Sequence, residues 1–518
     1  MFDAAPETEL PMIIDSFAGG GGASTGIELA LGRSPDVAIN HNAAALALHA
    51  VNHPETLHLD SNIWDVAPLD VTKGRHVGLL WASPDCKHFS KAKGGAPKDR
   101  NIRDLAWVVV DWAEQVRPDV ILMENVEEFL TWGPLGEDGQ PLKEFSGMTF
   151  ELWAKRLRRA GYRVQWRELR ACDYGAPTIR KRFFMVARRD GRPISWPKPT
   201  HGDPKSPAVK RGHRLPWRTA AECIDWSLPC PSIFDTGPQI MEKHGLRAVR
   251  PLAKNTMARV ARGMKRYVLD SADPFIVNIA NSKTTTAGGQ HHALGAPLLA
   301  TMRNSQKPWQ GCDEPTHTIT AGGAGLTTIA AFIAQHHTGA TGHDARDPLS
   351  TVAATGSHQT PIAAWFAKYY GTGDGAPTGD PMHTVTVKDR MGHMQAALSA
   401  PPFTKDHATR ARDVADFMRA HEAWDDREFV TINIQGATFV IVDIGMRMLT
   451  PRELFHAQGF PADYVIEGHW TERDGEYTWT QFPKNVQVSC CGNSVCPPLA
   501  EALVRANCKH LMKERIAA

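Results

Sequence analysis

The stretch Met12-Ile-Ile-Asp-Ser-Phe-Ala-Gly-Gly-Gly-Gly-Ala-Ser-Thr-Gly-Ile-Glu-Leu-Ala-Leu31 decides the fold of this chain. It begins as a short apolar strand, passes through a run of glycines and ends in apolar residues at helical spacing. This order is typical of the first turn of a nucleotide-binding α/β sheet, where missing side chains let a ligand approach backbone N–H groups. The Gly-Lys-Ser/Thr ending of a P-loop is absent, which excludes that kind of phosphate site.

The alternation of strands and helices continues beyond this stretch. Further strands are predicted at Asp36–Ile39, Leu57–Asp60, Val77–Ala82, Asp119–Met123, Arg163–Leu169 and Arg182–Ala187, and helices at Ala43–Val51, Ile102–Val116 and Thr149–Ala160. Strands separated by helices of roughly 10 to 15 residues form a parallel sheet with helices on both faces. The sequence therefore predicts an α/β fold with a mostly parallel, doubly wound, Rossmann-like sheet.

A lone cysteine follows one of these predicted strands. The segment Ser83-Pro-Asp-Cys-Lys-His88 ends the strand abruptly, which places Cys86 at the carboxyl edge of the sheet, where open α/β sheets bind ligands. The cationic neighbours Lys87 and His88 favour a lowered thiol pKa and therefore a reactive thiolate. The alternative is a buried and inert cysteine.

Composition limits the class of protein. A chain of 518 residues with 42% apolar and 22% charged residues has room for two or more globular domains. The net charge of +2 means that any nucleic-acid surface must be local. Nine cysteines without zinc-ligand spacing indicate free thiols in a reducing cytoplasm and no metal site. Without a signal peptide or an apolar run of about 20 residues, we expect a cytoplasmic protein that does not enter a membrane.

Six motifs of the chain resemble those of the DNA (cytosine-5) methyltransferases and occur in the same order. They are Phe17-Ala-Gly-Gly-Gly21, Ser83-Pro-Asp-Cys86, Glu124-Asn-Val126, Arg180-Lys-Arg182, Arg447-Met-Leu-Thr-Pro-Arg-Glu-Leu-Phe-His-Ala-Gln-Gly-Phe-Pro461 and Gly492-Asn-Ser-Val495. The resemblance implies an S-adenosylmethionine-dependent core of residues 11–190, completed by residues 486–518. It also implies an inserted, β-rich target-recognition domain of residues 191–485.

The resemblance implies a role for individual residues. Cys86 would be the nucleophile and Glu124 would bind N3 of the base. Arg182 would act near O2 with Arg180 beside it, and structural ion pairing is the favoured alternative for Arg180. The implied cofactor-binding residues are Phe17, Ala18, Gly19, Gly21, Asn40, Asp60, Pro84, Asn493 and Ser494. The implied reaction is methyl transfer from S-adenosylmethionine to C5 of a flipped-out cytosine in a specific duplex DNA sequence, through a covalent bond between Cys86 and C6.

The chain departs from the family pattern at two places. The family usually has Pro before the nucleophile and Gln after it, where this chain has Asp85 and Lys87. It usually has a Glu on the cofactor ribose, where this chain has the uncharged Asn40. Two other functions stay open: a tRNA cytosine-5 methyltransferase, and an inactive DNA-binding relative. The expected partners are duplex DNA and a cognate restriction system, and the expected state is a monomer.

An internal repeat lies in the middle of the chain. Pro315, Pro348 and Pro381 stand in similar segments 33 residues apart, and apolar runs begin at Ile329 and Ile362. A period of this length also occurs in helical solenoids. The Thr-Val-Thr and Thr-Ile-Thr segments and the glycine-rich turns favour β structure instead, so we predict a repeated β-hairpin.

A basic run precedes the repeat. The segment Arg247–Arg266 contains seven Lys or Arg residues and no acidic residue. Such a run is often only a solvated face. Beside a candidate DNA enzyme, it is also a candidate phosphate-binding surface.

Overall fold

The computed structural model describes residues 10–84, 104–136, 140–270, 405–434 and 437–512, and the backbone of seven strands between residues 277 and 399. The chain divides into two compact units. The first contains residues 1–176, 181–200 and 458–518, and the second contains residues 177–180 and 201–457. None of the helices in the described part of the chain has the length and apolar character needed to cross a membrane.

A seven-stranded sheet forms the centre of the first unit. Its strands are β1 Met12–Ser16, β2 Val37–Asn40, β3 Leu57–Asp60, β4 Val77–Ala82, β5 Val120–Asn125, β6 Arg163–Arg170 and β7 Lys181–Arg188. The strand order is β3-β2-β1-β4-β5-β7-β6. The pairs from β3 to β5 are parallel, and β7 runs antiparallel to both β5 and β6. The predicted α/β fold with a mostly parallel sheet is therefore confirmed.

Helices cover both faces of this sheet. The helices of the first unit are α1 Gly22–Leu31, α2 Ala43–Asn52, α3 Pro68–Thr72, α4 Trp107–Gln115, α5 Met148–Arg159 and, after the helices of the second unit, α11 Lys484–Asn493 and α12 Pro497–Asn507. One core cluster joins Trp81 of β4 to α1 and α12, and another joins Leu80 of β4 to α4 and α5. Because successive residues of a strand point to opposite faces, β4 contributes to both clusters and is wholly buried.

The two ends of α1 depend on glycine. The helix begins after Gly21 and ends before Gly32, both in the left-handed region with φ of 87° and 72°. The next helix, α2, begins differently, because the side chain of Asn42 accepts hydrogen bonds from the N–H groups of Ala44 and Ala45 at 3.1 Å each. These local signals explain why the sequence alone indicates both helices.

The second unit is built around a nine-stranded sheet of the order β10-β11-β15-β16-β18-β14-β12-β13, with β17 paired to β18. The bounds of these strands are β10 Val277–Ile279, β11 Ala293–Ala296, β12 Leu298–Thr301, β13 Trp309–Gly311, β14 Leu326–Gln335, β15 Gln359–Lys368, β16 Met391–Ser399, β17 Thr431–Ile434 and β18 Ala437–Met448. Its helices are α6 Pro207–Lys210, α7 Gly237–His244, α8 Lys254–Met264, α9 Lys405–Ala420 and α10 Pro451–Gln458.

The structure places the predicted repeat in this sheet. The apolar runs that begin at Ile329 and Ile362 lie in β14 and β15, which start 33 residues apart and pair antiparallel. The repeat prolines Pro315, Pro348 and Pro381 lie outside the described residues. The strands support β structure over a helical solenoid.

Small two-stranded sheets complete both units. The pair β8 His201–Gly202 and β9 Leu215–Pro216 lies in the second unit, and the hairpin β19 Gly468–Arg473 and β20 Glu476–Gln481 lies in the first. The later boundary between the units follows Ala457, whereas the sequence analysis placed it after residue 485. The reason is that Tyr464 and Val465 hydrogen-bond to Gly20 and Asn52 of the first unit.

Candidate active site

The candidate site lies at the carboxyl ends of the central strands of the first unit. The chain passes from β1 outward to β2 and β3, and then returns to the other side of β1 to form β4 and β5. Such a reversal leaves a crevice in which open α/β sheets bind ligands. The N–H group of Ser83 donates to the carbonyl of Ser16 at 3.3 Å and holds the ends of β1 and β4 together.

The glycine loop turns tightly after β1. Phe17 and Gly19 have φ values of 66° and 55°, a region that is uncommon for a non-glycine residue such as Phe17. The N–H of Ala18 donates to the carbonyl of Ile39, and the N–H of Gly21 donates to the carbonyl of Ala18, both at 3.1 Å. Among the described residues, a Cβ on Gly19 would meet only the Phe17 carbonyl oxygen, 3.8 Å away, so these residues leave space beside Gly19 for a ligand.

The protein itself packs against the next two glycines. A Cβ on Gly20 would lie 2.7 Å from the Cβ of Cys490, and a Cβ on Gly21 would lie 2.2 Å from the hydroxyl oxygen of Tyr464. The Tyr464 hydroxyl also donates to the Gly20 carbonyl at 2.7 Å. Gly20 and Gly21 therefore serve packing, and Gly19 leaves room for a ligand.

Two polar residues end the neighbouring strands. Asn40 and Asp60 are the last residues of β2 and β3 and are direct partners in the parallel register. Asn40 is half-buried and Asp60 is exposed. The Asn40 Oδ1 accepts the N–H of Asn42 at 2.8 Å, which orients the carboxamide. Adjacent oxygen-bearing side chains at this edge suit the hydroxyl groups of a ribose. Together with the open space at Gly19, these residues fit a nucleoside cofactor.

A buried ion pair lies at the end of β5. Arg182 Nε lies 3.2 Å from Glu124 Oε1, and the side chains are only 13% and 9% exposed. Arg182 Nη1 also donates to the Lys181 carbonyl at 2.8 Å, which fixes the guanidinium. The next residue, Asn125, donates from Nδ2 to the Pro84 carbonyl at 3.5 Å and so links the ends of β5 and β4. Glu124 and Arg182 are thus brought together at this edge of the sheet, and their catalytic roles remain predictions.

Within the described residues, the structure does not bring the other two predicted catalytic residues to this ion pair. Cys86, with Asp85 and Lys87, lies outside the described residues, and the buried Pro84 is the last residue described before it. Arg180 belongs to the second unit, is only 4% exposed, and its N–H donates to Thr178 Oγ1 at 3.3 Å. The roles predicted for Cys86 and Arg180 remain predictions.

The C-terminal motif Gly492-Asn-Ser-Val495 packs beside the glycine loop. A Cβ on Gly22 would lie 2.2 Å from the Val495 carbonyl oxygen, so this motif packs on the first residue of α1. Asn493 ends α11 and is exposed. The Ser494 hydroxyl donates to the Cys491 carbonyl at 2.7 Å, and Gln458 Nε2 donates to the Ser494 carbonyl at 3.0 Å. The Ser494 side chain is therefore engaged inside the protein, and Asn493 is the member of the pair that faces solvent.

The structure adds residues that the sequence analysis missed. Tyr464 is one, through its contact with the glycine loop. Asp15 is another: it is fully buried, Ser24 Oγ donates to its Oδ2 at 2.7 Å, and burial raises the pKa of this carboxyl group to about 7. A charged residue inside the apolar strand Met12–Ser16 was a usable signal for Asp15. For Tyr464, the sequence held no such signal.

Comparison with known proteins identifies the family. The family model described as C-5 cytosine-specific DNA methylase matches residues 12–347 and 379–509. The Type II methyltransferase M.AgeI of Thalassovita gelatinovora is 29% identical over 234 residues, which are 44% of this chain and 47% of that protein. The Type II methyltransferase M.AquIA of Picosynechococcus sp. is 26% identical over 261 residues, 47% of this chain and 97% of that protein.

The chain therefore aligns with about half the length of M.AgeI. A crystal structure of a Spodoptera frugiperda DNMT2 mutant has 16% sequence identity and a TM-score of 0.44, and covers 96% of this chain and 99% of that chain. The family model covers most of the sequence, including the glycine loop and the Glu124-Asn-Val126 segment. The resemblance predicted from the six motifs is thus confirmed, and the chain belongs to the C-5 cytosine-specific DNA methylase family.

Proposed function

We propose that the protein transfers a methyl group from S-adenosylmethionine to C5 of cytosine in a specific sequence of duplex DNA. The observation that carries this proposal is the buried pair of Glu124 and Arg182 at the carboxyl edge of the sheet, linked through Asn125 to the strand end that precedes Cys86. The family membership of the chain supports the same reaction.

The residues around the glycine loop fit the cofactor. S-adenosylmethionine, when bound, supplies an electrophilic methyl group on a sulfonium. The open space above Gly19 admits a ligand to the backbone, and Asn40 and Asp60 offer oxygen atoms to ribose hydroxyls. Phe17 lies two residues before Gly19 in the sequence and presents a half-buried ring. Pro84, Asn493 and Ser494 are proposed to complete the cofactor site.

The chemistry requires a nucleophile because C5 of cytosine is too weakly nucleophilic to take a methyl group directly. We assign this role to the Cys86 thiolate, which adds to C6 and moves an electron pair toward C5. C5 then accepts the methyl group, and loss of its proton together with the thiolate restores the ring. Because C6 is inaccessible in a stacked duplex, the base must first be flipped out.

Glu124 and Arg182 stabilise the charge that develops during this addition. We propose that Glu124 hydrogen-bonds N3 and that Arg182 holds O2 while it fixes the Glu124 carboxyl group, and the ion pair between the two side chains supports this assignment. Nearly buried side chains interact more strongly than exposed ones, because water does not screen them. We propose a supporting role near O2 for Arg180.

The second unit is proposed to choose the DNA sequence. We assign target recognition to residues 201–457 of this unit, with the β strands of the 33-residue repeat presenting loops to base edges. The curated relatives M.AgeI and M.AquIA are named Type II methyltransferases. We accordingly propose that this protein acts as a monomer in the cytoplasm and protects DNA against a cognate restriction enzyme.

The test is methyl transfer by the purified protein with S-adenosylmethionine labelled on the methyl group. We expect label in duplex DNA, far slower labelling of tRNA, and 5-methylcytosine at one sequence by bisulfite sequencing. Cys86→Ala should abolish transfer, and Cys223→Ala, a buried cysteine of the second unit, should retain it. Label mainly in RNA, or a few per cent of the normal activity in Cys86→Ala, would overturn the proposal.

A further inference from the structure

A chain of polar side chains crosses the first unit behind the glycine loop. It runs from Asp15 on β1 to Ser24 on α1, His49 on α2 and His58 on β3. Ser24 Oγ lies 2.7 Å from Asp15 Oδ2, His49 Nε2 lies 2.9 Å from Ser24 Oγ, and His49 Nδ1 lies 2.8 Å from His58 Nε2. Every link is within hydrogen-bond distance.

Burial isolates all but one end of this chain. Asp15, Ser24 and His49 are 0% exposed, and His58 is half-buried. Asp15 Oδ1 has no hydrogen-bond partner among the described residues. The path through Ser24 and His49 to His58 is therefore the hydrogen-bonded route from the Asp15 carboxyl group toward solvent.

The hydrogen atoms on these four side chains can be arranged in two ways. When Asp15 is ionised, the Ser24 hydroxyl donates to it, so His49 Nε2 must donate to Ser24 and His58 Nε2 must donate to His49. When Asp15 is protonated, every link reverses, and His49 carries its proton on Nδ1. The His58 ring also donates to the Thr56 carbonyl, which is compatible with the reversed arrangement and with a doubly protonated His58.

The pKa values of Asp15, His49 and His58 suit the transfer of a proton along the four side chains. Burial raises the pKa of Asp15 to about 7. Burial and the nearby His53 lower the pKa of His58 below its ordinary value of 6.5, so Asp15 takes up a proton before His58 does as the pH falls. Burial, His53 and His58 lower the pKa of His49 far below its usual range, so the middle of the chain passes protons without holding a charge.

Other ionisable groups face the chain from the elements around it. The ring of His53, the residue after α2, lies 4.7 Å from the ring of His49 in a tilted arrangement, and His53 Nδ1 lies 2.9 Å from Glu28 Oε2 of α1. Tyr464 and Cys490 approach from the C-terminal part of the unit and are buried. The hydrogen-bonded link between Asp15 and a histidine nevertheless passes through Ser24.

We propose that Asp15, Ser24, His49 and His58 form a proton relay that sets the charge beneath the glycine loop according to pH. A proton on His58 Nε2 moves to His49 Nδ1, the His49 Nε2 proton moves to Ser24 Oγ, and the Ser24 hydroxyl proton moves to Asp15 Oδ2. Each donor loses one bond to hydrogen and each acceptor gains one, so a single proton crosses the core without water entering.

The relay changes how strongly the cofactor binds relative to its product, a consequence that rests on the proposed function. Asp15 lies two residues before Phe17, and its partner Ser24 is in the first turn of α1, next to the loop. The sulfonium cofactor is positive at sulfur and its demethylated product is neutral there. An ionised Asp15 attracts the positive cofactor more than the neutral product. Protonation of Asp15 therefore reduces the preference of the protein for cofactor over product.

The relay is tested directly by nitrogen NMR of the histidine rings in the full chain. We expect His49 to carry its proton on Nε2 at pH 8.5 and on Nδ1 at pH 5.5. Asp15→Asn and Ser24→Ala should each abolish this exchange. The matched control is Ser227→Ala, which removes a hydroxyl bonded to Asp225 in the second unit and should leave the exchange intact. One His49 tautomer across the range in the wild-type protein, or an unchanged exchange in Ser24→Ala, would overturn the relay.

The coupling to the cofactor is tested by calorimetry with S-adenosylmethionine and S-adenosylhomocysteine. The ratio of their Kd values should change at least threefold between pH 6 and pH 8 in the wild-type protein and in Ser227→Ala (an effect of about 0.7 kcal/mol). The ratio should stay constant in Asp15→Asn and Ser24→Ala. An equal change in Ser24→Ala would refute the coupling. Failure to bind either compound would refute the proposed cofactor, while the NMR result would still decide the relay.

Discussion

Arg182 Nε lies 3.2 Å from Glu124 Oε1 across the antiparallel strands β5 and β7. Both side chains are nearly buried, and the pair is therefore a structural element as well as a candidate part of the catalytic site. Removing one member of a buried pair leaves the other charge without its partner, which costs more than the pair itself contributes.

We expect Glu124→Gln to lower the free energy of unfolding by about 3 kcal/mol, because Arg182 stays buried beside a neutral group. Urea denaturation measures the loss. The control is Glu127→Gln, whose partner Lys181 lies 3.2 Å away in a pair that is about one third exposed. That change should cost about 0.5 kcal/mol or less. Equal losses in the two variants would contradict a special role for the buried pair.

The hydroxyl of Tyr464 is expected to hold the glycine loop in its binding conformation. Tyr464→Phe removes the hydrogen bond to the Gly20 carbonyl and should weaken S-adenosylmethionine binding about fivefold, the equivalent of about 1 kcal/mol. Isothermal titration calorimetry measures the affinity. Tyr162→Phe removes a similar 2.7 Å bond to the Pro118 carbonyl and is the matched control. It should lose stability without losing affinity, and an equal loss of affinity would argue against loop positioning.

The two glycines that flank α1 should respond differently to alanine. Gly32 has φ of 72°, and no atom of the described residues lies within 4 Å of an added Cβ, so Gly32→Ala should cost about 1 kcal/mol of backbone strain. Gly21→Ala adds the same strain and a collision with the Tyr464 hydroxyl, 2.2 Å away. We expect a loss at least twice as large, together with loss of cofactor binding. Thermal unfolding and calorimetry give the two quantities, and similar melting temperatures would contradict this packing.

Asp15 should make the protein less stable as the pH rises. Its pKa in the folded protein, about 7, lies above the ordinary value of 3.8. The stabilising contribution is therefore complete below about pH 3.8 and is lost as the pH rises through 7, by an amount on the order of 4 kcal/mol. Asp15→Asn cannot ionise, so its stability relative to the wild-type protein should increase between pH 5 and pH 8.

Urea denaturation at those two pH values checks this expectation. Asp70→Asn changes an exposed carboxylate and should leave the pH dependence of the wild-type protein unaltered. If Asp15→Asn and the wild-type protein show the same pH dependence, the Asp15 carboxyl group does not titrate in this range.

The basic run Arg247–Arg266 is expected to contact DNA phosphates. Lys254, Arg262 and Arg266 are exposed members of this run on or next to α8. Changing all three to Gln should weaken binding to every DNA sequence alike. It should also reduce the magnitude of the slope of log K against log salt concentration by about 3, because each lost phosphate contact lowers that magnitude by about 0.9.

Fluorescence anisotropy at several salt concentrations measures this slope. A variant with Lys205 and Lys210 changed to Gln removes exposed charges of the same unit outside the run and should keep it. Equal effects of the two variants would show that the run acts only through net charge.

The sequence by itself determined the local elements of the first unit. A strand, a glycine loop and a helix are each encoded within about 20 neighbouring residues, because the period of the apolar residues and the glycine positions act locally. Glu124 and Arg182 were indicated by the resemblance of the motifs Glu124-Asn-Val126 and Arg180-Lys-Arg182. The six ordered motifs were sufficient to predict the family.

Only the tertiary structure decided which distant residues meet. Tyr464 contacts Gly20 across 444 positions of the chain, and this contact assigns the segment after Ala457 to the first unit. The order of the strands likewise brings His58 within hydrogen-bond distance of His49, in the row of side chains that begins at Asp15. Burial then shifts the pKa of Asp15 toward neutrality. Such contacts and desolvation depend on how the elements pack in three dimensions, which no local pattern of residues encodes.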